Sequence, residues 1–428
     1  VNGQGEIDCQ TFTDSEGNEF SLSVQEVISA LNQLDWFKSA DCCELTPAEI
    51  SRRRGPFDGQ TVFRGITPGD DIGPYISQFL LVGNNALNGR RDVNDNGDGF
   101  IGYGAIRIDQ RVRFATPCVD YMTDWKEWYD VQNGADLRGL ESLEDSPAYR
   151  FITTPRDLAT YVHYDALYEA YLNACLIMLG EGIPFDPGIP FQRGDHIDHQ
   201  QGFAHFGGPH ILSLVTEVAT RALKAARYQK FNVHRRLRPE VLAARLAKND
   251  VIQPMYDTPE LQDMVAPLQP ILNWVAQKNG ADPHLTNNYL LPMAFCEGSP
   301  VHPSYAAGHA TVAGACVTIL KAFFDHKYPI NFTGNDAEPA FEPTRNGVRL
   351  ITKPSVGGTM TVEGELNKLA SNISIGRNWA GVHYFSDYIE SLRMGEEIAI
   401  GILEEQKLTY GENFSMTVPL YDGGSIRI

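Results

Sequence analysis

The stretch Ser299-Pro300-Val301-His302-Pro303-Ser304-Tyr305-Ala306-Ala307-Gly308-His309-Ala310 is polar and proline-punctuated, and it runs straight into a segment, 311–324, that is apolar at helical spacing. Ala310, Val312, Ala313, Cys316, Ile319, Leu320 and Phe323 mark a loop feeding the N-terminus of a buried helix, which other elements must surround. The junction also suits an anion. Gly308 lets a ligand approach the backbone, first-turn N–H groups lack intrahelical partners, and His309 sits where it can exchange a proton.

Helical periodicity recurs over about Leu22 to Phe37, Pro155 to Leu179, Gly207 to Lys230, Pro239 to Lys248, Thr258 to Lys278, Ala307 to Lys327, Val362 to Ile375 and Tyr384 to Glu405. Strand-like runs are short, around Val348 to Thr352 and Ser415 to Leu420. Long helices with few strands predict an all-α, bundle-like fold. No Gly/Ser-rich linker or charge block divides the chain. One domain over 1–428 is expected, with 1–150 as a wrapping N-terminal arm and 151–428 as the helical core carrying the site.

A formal charge of −19 argues against nucleic acid as a partner, because phosphate backbones need a basic surface. Against that acidic background, clustered Lys, Arg and His are informative. The seven cysteines are scattered, with no C-x-x-C, which argues against a disulfide scaffold or thiolate zinc site. Cys175 and Cys316 read as packed thiols, and a local disulfide is conceivable among Cys9, Cys42 and Cys43. No apolar run is long enough to span a bilayer, so a soluble protein and no membrane partner are expected. The start at Val1 leaves open a targeting segment already removed, hence a secreted, periplasmic or cell-wall location.

Two further cationic stretches accompany the loop at 299–310: 230–239 (KFNVHRRLRP) and 376–387 (GRNWAGVHYFSD). Lys230 closes a helix and Pro239 favours the first turn of the next, which places Arg238 at the cap between them. Arg235 and Arg236 are spare cations, solvated or paired to carboxylates. Gly381 suggests a break that lets Arg377 end one element and His383 begin another, with Asp387 four residues on to orient the ring. Lys230, Arg238, the Gly308 amide, His309, Arg377 and His383 together match a tetrahedral oxyanion such as phosphate or vanadate.

Two loops invite a cation reading. Asp92 to Gly99 has oxygen side chains on alternate positions, but Tyr103 or Ala105 stands where a calcium loop needs its bidentate Glu, so an Asn-Gly turn is the reading taken. In the loop Phe191 to Gln200, the side chains of Asp195, Asp198 and Gln200 with nearby carbonyls could enclose a hard cation.

The three ordered stretches resemble the signature of the vanadium-dependent haloperoxidase and acid phosphatase superfamily: Lys, then Arg-Pro, later Ser-Gly-His, then Arg with His six residues on and Asp four after that. The resemblance is closer to the bromoperoxidases of red algae and related cyanobacterial enzymes, through the seven residues between Lys230 and Arg238 and the His302-Pro303-Ser304-Tyr305 lead-in. It covers most of the chain from about residue 150. It implies two four-helix bundles, vanadate as cofactor and no haem. His383 would bond vanadium, His309 would be acid–base partner of an axial oxygen, and Lys230, Arg238, Ala307, Gly308 and Arg377 would stand in the oxyanion shell. Hydrogen peroxide would give a peroxovanadate, Lys230 would polarise it, and halide attack would release hypohalous acid to halogenate small organic nucleophiles. Arg227 and His302, where chlorinating relatives carry bulky aromatics, imply bromide and iodide over chloride. The resemblance also implies a homo-oligomer, and a structural calcium near Phe191, Asp195, Asp198 and Gln200.

One position departs from the pattern. Ala307 replaces the serine of Ser-Gly-His, removing a hydroxyl whose bond to a charged group would stabilise by about 1.5–3 kcal/mol. Two alternatives remain open on sequence alone. One is an acid phosphatase with His383 as nucleophile and His309 as proton donor; the other is an anion-binding protein without turnover.

Overall fold

The computed structural model describes residues 12–13, 19–20, 24–34, 56–59, 61–84, 96–192, 202–256, 259–280 and 288–428. Its helices are α1 (Val24–Gln33), α2 (Trp125–Gln132), α3 (Pro155–Tyr164), α4 (Glu169–Glu181), α5 (Gly208–Tyr228), α6 (Pro239–Ala247), α7 (Asn249–Tyr256), α8 (Pro259–Lys278), α9 (Gly308–Phe323), α10 (Val362–Trp379) and α11 (Phe385–Lys407). Strands among the described residues form four two-stranded antiparallel sheets. The architecture is all-α with small β additions, as the periodicity predicts.

Helix α9 is the axis. Every residue from Ala310 to Phe323 is buried, and each fully buried Val, Leu, Ile or Phe contributes about 1.5–3 kcal/mol. It packs against α5, α10 and α11. A Cβ on Gly314 would lie 2.1 Å from the Leu392 carbonyl oxygen, and one on Gly395 would lie 2.2 Å from that of Thr311. Helices α9 and α11 therefore touch backbone to backbone, a spacing that only glycine permits. This crossing, with the Ala307 amide donating to Ser391 Oγ at 2.9 Å, brings the N-termini of α9 and α11 to the same end.

The periodic segment from Pro155 to Leu179 is two helices, not one. Thr154 and Asp157 form a capping box at the start of α3, but at Asp165 the backbone turns extended (φ −62°, ψ 144°) and α4 begins only at Glu169. Both halves keep the apolar spacing, so periodicity hides the break. Helix α5 continues into a π-helical turn, Gln229–His234, that closes with Arg235 in the left-handed region at φ 48°. Such turns displace side chains from the α-helical register, here that of Lys230.

Residues before 150 enter the core. Phe79, Leu81 and Val82 are fully buried. The amides of Ser77 and Gln78 donate to Asn372 Oδ1 and Glu365 Oε2 on α10, both at 2.8 Å, and Ser371 Oγ donates to Asp70 Oδ2 at 2.9 Å. Buried polar groups of the two segments thus satisfy each other.

The strand runs near 350 and 417 pair with Ala340–Pro343 and Ser425–Arg427. The hairpin Phe100–Tyr103 with Ile106–Asp109 has no counterpart in the sequence reading; its pairing turns at Gly104, in the left-handed region at φ 57°. In the 92–99 loop, Asn96–Asp98 is a 3-10 turn whose Asp98 Oδ1 accepts from Phe100 N at 2.8 Å, while Asp92 to Asp95 lie outside the described residues. Cys175, Cys296 and Cys316 are buried free thiols; Cys118 is disulfide-bonded, a bond the sequence reading did not anticipate. Cys9, Cys42 and Cys43 lie outside the described residues.

Candidate active site

A cavity of about 490 Å³ opens between α5, α6 and the N-termini of α9 and α11, and its wall includes Lys230, Arg238, Gly308, His309, Arg377 and His383. Arg227 and His302 line it too, beside Leu167, Leu223, Ala226, Phe231 and Pro300. The three stretches therefore converge. Ala307 is the exception: it is the N-cap of α9, makes no side-chain cap and does not line the cavity. Asp195, Asp198 and Gln200 lie outside the described residues; Phe191 is described, and its carbonyl accepts from Gly202 N at 3.2 Å.

Each cation is held from behind by carbonyl oxygens. Lys230 Nζ donates to the carbonyls of Pro303 and Ser304 at 2.7 and 3.0 Å. Arg238, at the cap of α6, donates from Nε to His302 O at 2.9 Å and from Nη1 to Val382 O at 2.8 Å. Arg377, in the last turn of α10, donates from Nη1 to Val162 O at 2.8 Å. Burial, then repulsion from Arg238, pushes Lys230 down to about 7; burial pushes Arg238 and Arg377 down to about 10, and the Arg377 charge adds to the shift of Arg238. These groups are poorly solvated and face one another, an arrangement that an anion stabilises.

The histidines are oriented by carboxylates. His383 precedes α11 instead of lying on it, yet its Nδ1 still meets Asp387 Oδ2 at 3.0 Å. Its Nε2 is 3.1 Å from Arg238 Nη1, and since a guanidinium only donates, Nε2 carries the lone pair and Nδ1 the proton. Burial, with the nearby arginines, pushes the His383 ring well below its ordinary value despite Asp387, favouring the neutral ligand form. His309 Nε2 lies 2.9 Å from Asp165 Oδ1, and burial again lowers its pKa. His302 Nδ1 is 2.9 Å from Arg238 Nη2, and desolvation with the Lys230 and Arg238 charges holds this ring down to about 4.

Sequence reasoning missed Asp165, whose only signal is a helix break without Pro or Gly. It also missed Ser304, whose hydroxyl donates to Asp387 Oδ2, and of the two outcomes it gave for Arg236 the structure shows the carboxylate pair, Nη1 donating to Asp387 Oδ1 at 2.8 Å.

The donor set fits a tetrahedral oxyanion. No Asp or Glu is among the described residues lining the cavity. Arg377 Nε is buried without a hydrogen-bond partner, and a Cβ on Gly308 would meet only Leu223 Cδ2, at 3.5 Å, leaving the α9 amides open to a ligand. Among the described residues no group of His, Cys, Asp and Glu could enclose a metal cation.

Residues 217–410 match the family model of the VCPO second helical-bundle domain. The vanadium-dependent bromoperoxidase of Corallina pilulifera is 52% identical over 440 residues, covering 99% of this chain and 71% of the relative. The chain belongs to the vanadium-dependent bromoperoxidases. That enzyme family includes a relative from Corallina officinalis, 51% identical over 99% of this chain and 71% of its own. Another, from Ascophyllum nodosum, is 34% identical over 86% of this chain and 61% of its own. The homohexameric vanadate-dependent bromoperoxidase AnII of Ascophyllum nodosum superposes with a TM-score of 0.68 at 27% identity, covering 94% of this chain and 70% of the other. No helix of the described residues is long and apolar enough to cross a membrane.

Proposed function

We propose that the protein binds vanadate in the 490 Å³ cavity and uses hydrogen peroxide to oxidise bromide, and iodide, to hypohalous acid that halogenates small organic nucleophiles. The observation that carries this reading is the meeting of Lys230, Arg238 and Arg377 with two carboxylate-held imidazoles on one cavity wall. Bound vanadate would supply a Lewis-acid centre that activates peroxide. His383 Nε2 offers the lone pair for it, while Lys230, Arg238, Arg377 and the Gly308 amide neutralise and orient its oxygens.

His309 exchanges the proton of incoming peroxide, its ring set by Asp165. The Lys230 ammonium would stabilise negative charge developing on a peroxide oxygen. Arg227 attracts a halide and His302 sets a polar ring beside it; bromide and iodide, more easily oxidised than chloride, are the preferred halides. The residual lining is mostly apolar, with Thr220 and Lys224 as its polar members, and suits a small organic substrate.

The reading extends to the whole chain as one unit, 1–428, in which 151–428 carries the site and the described residues before 150, beyond a wrapping arm, contribute to its core. It further includes a homo-oligomer, as in AnII, and a structural calcium at the loop Phe191 to Gln200. Titrating metal-free protein with vanadate while following peroxide-dependent bromination tests the central reading. Activity that needs both vanadate and peroxide is the expected result; phosphate release from a simple ester instead would favour a phosphatase with His383 as nucleophile.

A further inference from the structure

Arg236 belongs to the first cationic stretch, yet it is not part of the cavity wall. Its Nη1 crosses to the third stretch, donating to Asp387 Oδ1 at 2.8 Å and to Ser386 Oγ at 2.9 Å, and its guanidinium carbon lies 4.2 Å from the centre of the Tyr384 ring. Its main-chain carbonyl accepts from the Ser304 amide of the second stretch at 2.9 Å. One residue thus ties all three stretches together by protein contacts alone.

Asp387 shows what the tie does. Its side chain is fully buried. Oδ2 is committed to His383 Nδ1, the Ser304 hydroxyl and the Tyr384 amide; Oδ1 accepts from Arg236. A buried carboxylate that loses its cation becomes strongly unfavourable, so it must rotate toward water. That rotation releases the bond that, together with the Arg238 contact at Nε2, fixes the His383 tautomer.

We propose that Arg236 is a positioning residue: by gripping Asp387 it keeps the proton on His383 Nδ1 and the lone pair on Nε2, preorganising the site for its oxyanion. This rests on the oxyanion reading above. It makes Arg236 act on affinity without touching the ligand, as outer-shell partners of metal-binding histidines do.

The test compares vanadate-free wild type with R236Q, R236K and R235Q. Arg235 is the control, since its Nε donates only to Phe231 O in its own turn, at 3.1 Å. Inorganic phosphate binding is measured by calorimetry, and the His383 ring nitrogens are followed by nitrogen-15 NMR of histidine-labelled protein, assigned with H383Q. R236Q should bind phosphate roughly 10- to 100-fold more weakly and shift the His383 nitrogens away from a single Nδ1–H tautomer. R235Q should match wild type. R236K keeps the charge, falls between the two, and is the variant to read if R236Q does not fold. Wild-type phosphate affinity and unchanged His383 nitrogens in whichever variant folds overturn the proposal. Failure of wild type itself to bind phosphate or vanadate would instead overturn the oxyanion reading.

Discussion

Nε2 of His309 lies 2.9 Å from Oδ1 of Asp165, a contact between residues 144 positions apart. Asp165 can make it because α3 ends there with an extended residue. The carboxylate holds the imidazole in one tautomer, so D165N should leave vanadate binding within a few-fold and lower kcat for bromide oxidation by roughly 10- to 100-fold. H309A, which removes the proton carrier, should lose about 10²–10⁴-fold. Steady-state kinetics beside vanadate titration separate the two; equal loss of binding and turnover in D165N would contradict the assignment.

His383 is expected to dominate retention of the cofactor. H383A should release vanadate on dialysis under conditions where wild type keeps it, as measured by elemental analysis. An activity loss with vanadium still fully retained would place the metal bond elsewhere.

Ala307 gives a gain-of-function test. A serine at the α9 N-cap can accept from a first-turn amide, worth about 1 kcal/mol of stability, or turn its hydroxyl to a bound oxyanion, worth about 1.5–3 kcal/mol. Because Ala307 itself does not line the cavity, the two outcomes compete. A307S should raise Tm if the cap wins and tighten vanadate roughly 10- to 100-fold if the ligand wins. Neither change would mean that the position is indifferent to the hydroxyl.

His163 carries a pH signature away from the cavity. Its Nδ1 and Nε2 meet Glu141 at 3.1 Å and Glu297 at 2.5 Å. Burial lowers the imidazole pKa, but hydrogen bonds and charge from the two carboxylates outweigh it and raise it from 6.5 to about 9. The folded state then binds the proton more tightly than the unfolded chain, so the stabilisation is complete below about 6.5 and is lost as pH rises through about 9. Denaturant unfolding should show stability falling over that window in wild type and a flatter profile in H163Q.

The calcium expectation is checked by chelation. Treating the protein with a strong chelator should lower Tm, and added calcium should restore it; an unchanged melting curve would remove the ion from the account.

Much of the cavity was legible because its chemistry is local. Arg238 beside Pro239, Gly308 before His309, and the break at Gly381 each announce themselves within a few residues, and the structure brings all three stretches to one wall. What stayed hidden depends on distance or on backbone register. Asp165 sits in a sequence with no helix breaker, and the π turn at Lys230 leaves no compositional mark. The bond between Arg236 and Asp387 joins residues 151 positions apart, so no pattern along the chain could reveal it. The two-residue contribution of Gly314 and Gly395 to the crossing of α9 and α11 was hidden for the same reason.

The cavity wall divides by origin. Arg238, His309, Arg377 and His383 come from segments beyond α5 knitted together by interlocking bonds, whereas Thr220, Leu223, Lys224, Ala226, Arg227, Lys230 and Phe231 descend from α5 and its terminal π turn. A directed-evolution library confined to Thr220, Leu223, Lys224 and Ala226, upstream of Arg227 and the π turn, would therefore reshape which substrates are admitted while the reactive groups are left alone, making selectivity and reactivity separately adjustable in this scaffold.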